Sequence, residues 1–464
     1  MPKEITGAPS WAIEYLKKLG YSPDTSMSTY ISQWWGWYKC SNDFYGLPNR
    51  GMKGLNNHRV MSITPAAVVA EEMASLVMDE KTVIGADDEE CAQWLDDRFS
   101  TFVGEAADNL ALSFALGTGA WACDFDGLGI KPRVRLTYYD VGQIVPLVTD
   151  RDISVASAFV SVVANKGKRY QQLQIHDLDS ETGTYHIKTH MFDMKGKELQ
   201  FEEINPDLDT LQPYPTYALV SPAIANRYED ATALGVSLYA NAVDALMAVD
   251  QAFDGFCQTV RFCIPRMYID KTAVDIDPTT GKMSIAGTVD ADLYRVMSGS
   301  VDKGFPVTIY NPELRLDERE GAINAALSIL SSKCGFGQNY FSWTRASGLK
   351  TATEVTSDNS ALFRNVRRHE MAVGKALRRL FTGAYIAECA LTTGRDPEDP
   401  GVNIQWDDSV VEDSKTEREL MKDDIARGLC PAYLYPMRYY GMSEEEARAL
   451  TGEGAAANGI PEEE

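Results

Sequence analysis

Apolar residues recur at helical spacing over roughly the first 125 positions. They alternate with polar ones between 130 and about 220, and return to helical spacing from Gly235 onward. Thr64-Pro65 opens the clearest early helix, a cap residue followed by proline at the first helical position. Val68, Val69, Met73, Leu76 and Val77 then form its stripe. Cys91 to Leu116 is a second helical region, carried by Trp94, Leu95, Phe99, Phe102, Val103, Leu110, Phe114 and Leu116. In the alternating stretch, 133–136, 172–175 and 185–188 read as strands punctuated by Gly167, Gly183 and Gly196. The pattern predicts an antiparallel sheet of hairpins.

Tyr239, Val243, Leu246, Val249, Phe253, Phe256 and Val260 form one continuous helical stripe. Asp244, Gln251, Asp254, Gln258 and Arg261 hold polar positions, and the helix should stop before Pro265. Residues 264–316 read as a compact insert. Arg266–Ile269 and Val307–Tyr310 are its strands, Asp277–Gly281 a turn, and Asp290–Met297 a short helix. A helix over Asp317–Lys333 closes it, and the irregular segment Gly335–Lys350 follows.

The longest helix is predicted over Thr351–Thr392, with Thr351 and Glu354 as a capping box. Its length, roughly 60 Å, exceeds an ordinary domain diameter and suggests an extended, assembled protein. Val355, Leu362, Val366, Val373, Leu377, Leu380 and Ala384 share one face. Arg364, Arg367, Arg368, Lys375, Arg378 and Arg379 fall opposite. That basic face is either solvated among nearby acids or meets an acidic neighbouring subunit or DNA. Val402–Trp406 reads as a strand, and the rest as a small helical bundle with capping boxes at Ser414/Glu417 and Ser443/Glu446 and stops at Gly428 and Gly441. Gly452–Glu464 has the composition of a disordered tail. The fold class is α+β.

Charge narrows the function. The formal net charge is −23, from 67 acidic and 44 basic residues. A broad grip on nucleic acid needs a basic footprint, so such a binder is disfavoured, whereas a protein that surrounds DNA without holding it is not. There is no GxxxxGK[ST] phosphate cradle and no GxSxG elbow. His369-Glu370 begins like a zinc-protease helix, but Val373 stands where the second histidine belongs. Gly117–Ala122 fits a loose dinucleotide pattern, yet a helix precedes it where a strand is required. His186 and His190 lie on a strand, roughly 13 Å apart, too far to share an ion. The carboxylates Asp124, Asp126, Asp140, Asp150 and Asp152 and the run Asp87–Glu90 could serve a two-metal nuclease. In so acidic a chain, a turn at Asp124–Gly127 and a solvated loop at Asp87–Glu90 are the simpler readings. The eight cysteines form no CxxC and read as free thiols of a reducing compartment. The N-terminus lacks an apolar signal region, and no run is long enough to span a bilayer, so a soluble protein made in the cytoplasm is expected.

Four segments together resemble the portal proteins of tailed bacteriophages, of the long-tailed siphophage type. They are Ile31–Tyr38 with Asn56–Val60; Leu116–Gly119 with Asp124–Gly127; Gly348–Val355 with Asn359-Ser360; and Gly428–Pro431 through Gly441–Glu446. The third is the most specific. Cys40 stands where the resemblance leads one to expect glycine.

The resemblance implies a homo-oligomeric ring, usually a dodecamer, at one capsid vertex of the virion, made in the bacterial cytoplasm. DNA would pass through its channel without sequence specificity. The implied parts are a wing (1–235, with a strand at 393–411), stem helices (236–262 and 317–334), a clip (263–316), a tunnel loop (335–350), a long helix (351–392) and a crown with acidic tail (412–464). The clip would dock the terminase large subunit and later the head-completion adaptor, through Asp277, Thr279, Lys282, Asp290 and Lys303. The tunnel loop would face DNA with Gly337, Gln338, Asn339, Arg345 and Lys350. Its aromatics Tyr340, Phe341 and Trp343 could instead anchor it to the helix behind. Major capsid and scaffold proteins are further implied partners. No enzymatic activity, metal or cofactor is implied. Another ring-forming connector or minor capsid protein, or a carboxylate-dependent nuclease, are the alternatives.

Overall fold

The computed structural model describes residues 5, 7–46, 59–79, 81–126, 133–148, 156–165, 167–201, 204–263, 266–270, 275–276, 279, 283–284, 294–297, 307–343, 352–395, 397–406, 421–440, 442 and 444–451. The first helical layer comprises α1 (Ser10–Lys18), α2 (Ser28–Tyr38), α3 (Pro65–Val77), α4 (Glu89–Phe99) and α5 (Phe102–Leu116). Short strands β1 (Ser22–Pro23) and β2 (Val83–Ala86) lie between them. The strand-rich middle runs β3 (Gly119–Asp126), β4 (Arg133–Asp140), β5 (Ile144–Val148), β6 (Ala156–Asn165), β7 (Lys168–Leu178) and β8 (Tyr185–Asp193). It ends with β9 (Glu198–Leu199), β10 (Asp207–Asp209) and β11 (Tyr217–Val220).

Next comes α6 (Val243–Phe262), then a β module of β12 (Arg266–Asp270), β13 (Asp275–Ile276), β14 (Met283–Ser284), β15 (Tyr294–Met297) and β16 (Val307–Tyr310), then α7 (Leu316–Lys333). The 42-residue helix α8 (Ala352–Thr393), β17 (Val402–Gln405), α9 (Leu434–Tyr440) and α10 (Glu444–Thr451) complete the described chain.

The α+β class and the period changes stand as read from the sequence. Strands β1, β5, β6, β7, β8 and β10 pair in that order, with β9 also on β8, and every pairing is antiparallel. Gly167, Gly183 and Gly196 have φ of 78°, 73° and 84° in its turns. Alternation sorts the sheet's two faces. Val145, Leu147, Ala158, Val160, Leu173 and Ile175 bury against Ala12 and Leu16 of α1. Ile144, Phe159 and Tyr185 meet Ala120, Ala122, Tyr139 and Tyr217 of the β11-β3-β4 sheet on the other.

The main core lies among α2, α3, α5, the start of α6, the end of α7, and α8 from Leu362 to Ala387. Helix α3 begins at Pro65 as expected, but Thr64 has φ 52° and its side chain makes no cap. Val69, Met73 and Val77 are buried with Ala66, Ala70 and Ala74, whereas Val68 points outward. Gly117 ends α5 at φ 88°, and a Cβ there would stand 2.8 Å from the Gly235 carbonyl. This backbone approach fixes where the chain re-enters the core before α6.

Four local expectations are corrected. Asp87–Glu90 is no loop: Asp88 caps α4 by accepting from the Cys91 N–H at 2.9 Å, and Glu89 and Glu90 occupy its first turn, where acids suit the helix dipole. Residues 91–116 form two helices, broken at Ser100–Thr101. Asp124 and Asp126 lie within β3 rather than in a turn. Tyr294–Met297 is a strand parallel to β12, not part of a helix; its tyrosine and valine suit a pleated surface. The capping pairs Thr351/Glu354, Ser414/Glu417 and Ser443/Glu446, Gly441 and the 452–464 tail lie wholly or partly outside the described residues.

Candidate functional site: a projecting helix pair and a basic helix face

Helices α6 and α7 run antiparallel: Cys263, just after α6, lies 3.9 Å from the Glu313 carbonyl ahead of α7. Burial is confined to one end of the pair. In α6 it covers Ala245, Leu246, Val249 and Asp250; in α7 it covers Ile323, Ala326, Leu327, Leu330 and Ser331. The α6 stripe nevertheless continues through Phe253, Phe256 and Val260, and at 50% Val260 is as exposed as a surface residue. Phe262, Leu314, Leu316 and Ile329 are exposed as well. The pair thus leaves the core with apolar side chains uncovered and carries the β module at its far end, where β12 pairs antiparallel with β16.

Asp250 fixes the buried end. It is fully buried, and accepts hydrogen bonds from Tyr45 Oη (2.6 Å), Ser62 Oγ (2.8 Å) and the Ile63 N–H (3.1 Å). One turn on, Asp254 accepts from the Met61 N–H at 3.1 Å. Burial pushes the Asp250 carboxyl up, and its three donors pull it back. Replacing Asp250 with alanine strands the buried Tyr45 hydroxyl and two half-buried donors, Ser62 and Ile63, and should cost about 3–5 kcal/mol in urea unfolding. Asn keeps an acceptor oxygen and should cost less than half as much. The sequence did carry a signal here: Asp250 is an acid set inside the apolar row of Leu246, Val249 and Phe253, at one turn from each end.

After α7 the chain doubles back along the pair. Trp343 N–H donates to Asn324 Oδ1 at 2.7 Å, and its ring packs on Phe253 and Phe256 at 5.8 and 6.2 Å. Phe341 N–H reaches Ser331 Oγ at 3.1 Å, and Tyr340 hydrogen-bonds Glu72. The aromatics are therefore anchors, mainly to α6, α7 and α3. Behind them Asn365 of α8 holds the Gly335 carbonyl at 2.9 Å. Gly337 has φ 89° and Asn339 φ 59°; Gln338 and Asn339 are exposed. Arg345 and Lys350 lie outside the described residues. In the β module Thr279 is exposed in a turn, while Asp277, Lys282, Asp290 and Lys303 lie outside the described residues.

Along α8 the seam Leu362, Val366, Val373, Leu377, Leu380 and Ala384 is buried. Of the six bases, Arg364, Arg368, Lys375, Arg378 and Arg379 are exposed. Arg367 is drawn inward to Glu370 at 3.2 Å. Arg368 donates to the Ala223 carbonyl (3.1 Å) and Arg378 to the Gly374 carbonyl (3.1 Å). His369 is buried on the seam side, its Nδ1 accepting from the Ala223 N–H at 2.9 Å, its ring 5.1 Å from Phe114. Burial, and less so Arg368, lowers its pKa to about 4. It is a core histidine rather than a ligand.

No family model matches the chain. No curated protein matches it either. Similar solved structures come from gene transfer agent particles. A chain of the neck of a native particle with C12 symmetry is 11% identical, with a TM-score of 0.41 over 84% of this chain and 89% of that one. A neck chain of an empty particle with C6 symmetry is 12% identical, with a TM-score of 0.42 over 91% and 93%. A chain of the native virion is 13% identical, with a TM-score of 0.41 over 84% and 89%. At these levels the functional reading has to come from this chain's own geometry.

Of the carboxylates considered for catalysis, Asp124 and Asp140 are engaged elsewhere, and Asp150 and Asp152 lie outside the described residues. Asp124 accepts from Gln174 and pairs with Arg135 at 3.5 Å, and Asp140 caps the helical turn 141–143. Among the described residues no group of three His, Cys, Asp or Glu is placed to hold a metal ion. His186 faces Asp207 at 2.9 Å and His190 faces Glu198 at 3.1 Å, each with its own partner. All eight cysteines are free, and burial pushes Cys91 and Cys334 up to about 12. No helix of the described residues is long and apolar enough to cross a membrane.

Proposed function

We propose that this chain is the subunit of a ring-shaped portal of a tailed-phage-like particle, a conduit for DNA. The observation that carries the reading is the α6–α7 pair. One end is locked in the core by Asp250, and the other projects with Val260, Phe262, Leu314 and Leu316 insufficiently covered. An apolar stripe of this kind needs further copies of the chain to bury it. A ring with the pairs lining its axis does so with every subunit equivalent.

Within this reading the β module is the docking surface for a packaging motor and a later adaptor. Residues 335–350 face the channel from a base that the aromatics hold still, and the net charge of −23 keeps phosphates from being gripped. The ring sits at one capsid vertex, in contact with capsid and scaffold proteins. Negative-stain microscopy with light scattering on the purified protein tests this. Rings with a central hole and a narrow axial projection are expected. Rings without a projection would favour another connector, and monomers at every salt and concentration would overturn the reading.

A further inference from the structure

Apart from Arg367, which Glu370 takes, the basic face of α8 meets no carboxylate among the described residues. Arg364, Lys375 and Arg379 have no carboxylate partner among the described residues, and with Arg368 they lie within roughly 60° of one another around the helix, over about 22 Å. The lower end of the stripe is recessed. Arg378, Arg379 and Thr382 floor a cleft of about 540 Å³ between Pro213–Pro215 on one side and Asp399, Gly401 and Val402 on the other. Asp399, the one acid there, is turned to the Gly401 N–H at 3.0 Å. A cleft of this size admits a few side chains and not a duplex, which favours a protein partner over DNA.

The same chain offers a complement. Glu89, Asp96 and Asp97 are exposed on the outer side of α4, without a basic partner among the described residues. Helix α4 packs on α8 through Trp94 against Tyr385 (5.4 Å) and Phe99 against Phe381 (5.3 Å). Those contacts lie roughly 90–130° around α8 from the basic stripe. The acidic and basic surfaces of one subunit therefore face different directions and do not neutralise each other. Two complementary surfaces on different sides of one chain are what a head-to-tail contact requires, and such a contact gives a ring when its rotation closes.

We propose that the basic stripe of α8, with its cleft, docks the acidic outer face of α4 of a neighbouring copy. The proposal rests on the ring reading above and adds the contact that selects the neighbour. It would also explain how a chain of net charge −23 packs copies side by side.

The test is charge reversal on exposed positions, with circular dichroism and melting temperature as fold controls. Arg364→Glu with Lys375→Glu and Arg379→Glu leaves both faces acidic; Asp96→Lys with Asp97→Lys leaves both basic. Each variant alone should lose ring formation at least tenfold by light scattering at physiological salt. An equimolar mixture should restore rings, because each stripe then finds an opposite α4 in an alternating assembly. Wild-type rings should weaken as salt rises.

Reversed variants that ring normally would overturn the proposal while leaving the ring reading intact. If they ring normally but lose DNA in a retention assay, the stripe serves DNA instead. Failure of the mixture to restore rings would remove α4 as the partner. A wild-type chain that is monomeric throughout would overturn the ring reading first.

Discussion

Val260→Asp should leave the chain folded as a monomer and abolish the ring, whereas Leu246→Asp should unfold it. The two positions lie on one stripe of α6 and differ in what covers them. Leu246 is fully buried within the subunit, so a carboxylate there has neither water nor partner. The resulting several kcal/mol is a large part of an ordinary domain's stability. Val260 is 50% exposed in the single chain, so aspartate there stays solvated until a second copy approaches. It then faces another apolar stripe and must be desolvated. Circular dichroism separates fold from assembly, and light scattering reads the latter. A Val260→Asp chain that still rings would place the interface elsewhere on the molecule.

Acid should destabilise this protein well before its ordinary carboxylates protonate. His176 is fully buried, its Nδ1 2.7 Å from Thr216 Oγ1 and its Nε2 unpartnered between the rings of Phe159 and Tyr217. Burial lowers its pKa from 6.5 to about 3, and that of His369 to about 4. Both are neutral in the fold and take up a proton in the unfolded chain below pH 6.5. Their contribution is therefore complete above pH 6.5 and is lost as pH falls toward 4 and 3. The slope is about 1.4 kcal/mol per pH unit for each histidine. Urea unfolding between pH 7 and 5 should show it, and His369→Gln should remove about half. Asp250, whose carboxyl is raised, works in the opposite direction in parent and variant alike, so the difference between them isolates the His369 imidazole better than the parent curve does. A flat pH profile would mean that the two rings reach water.

Helix periods and hairpin punctuation were legible because they depend on local burial alone. The α6 stripe, the stop before Pro265, the α7 and α8 spans and the glycine turns of the large sheet all follow from them. What failed was chemistry that depends on a partner the local pattern does not show. Acids at 87–90 look like a solvated loop until Asp88 is seen capping α4 and Asp87 accepting from Asn403, 316 positions away. Tyr294–Met297 is too short to choose between helix and strand without β12 beside it. Asp250 is an anomaly within a stripe, and only the donors from 45–63 say why it is tolerated. The basic face of α8 was visible, but not that Arg367 is taken by Glu370 and that the lower arginines floor a cleft.

Strand β17 pairs with β2, joining Val402–Gln405 to Val83–Ala86 across most of the molecule's length in sequence. During synthesis β2 emerges early, and its partner follows only after the 315 residues between Ala86 and Val402. At roughly 5–20 residues per second that is a wait of about 16–60 s. For that interval α3, α4 and α5 lack α8, whose seam buries their apolar faces, and the β2 edge stands open. The nascent chain is thus at its stickiest before it can join anything. A chain broken off short of residue 402 would keep an unpaired edge, and one broken off before α8 an uncovered layer as well. Entry into the proposed ring would in this way be reserved for chains translated past residue 402.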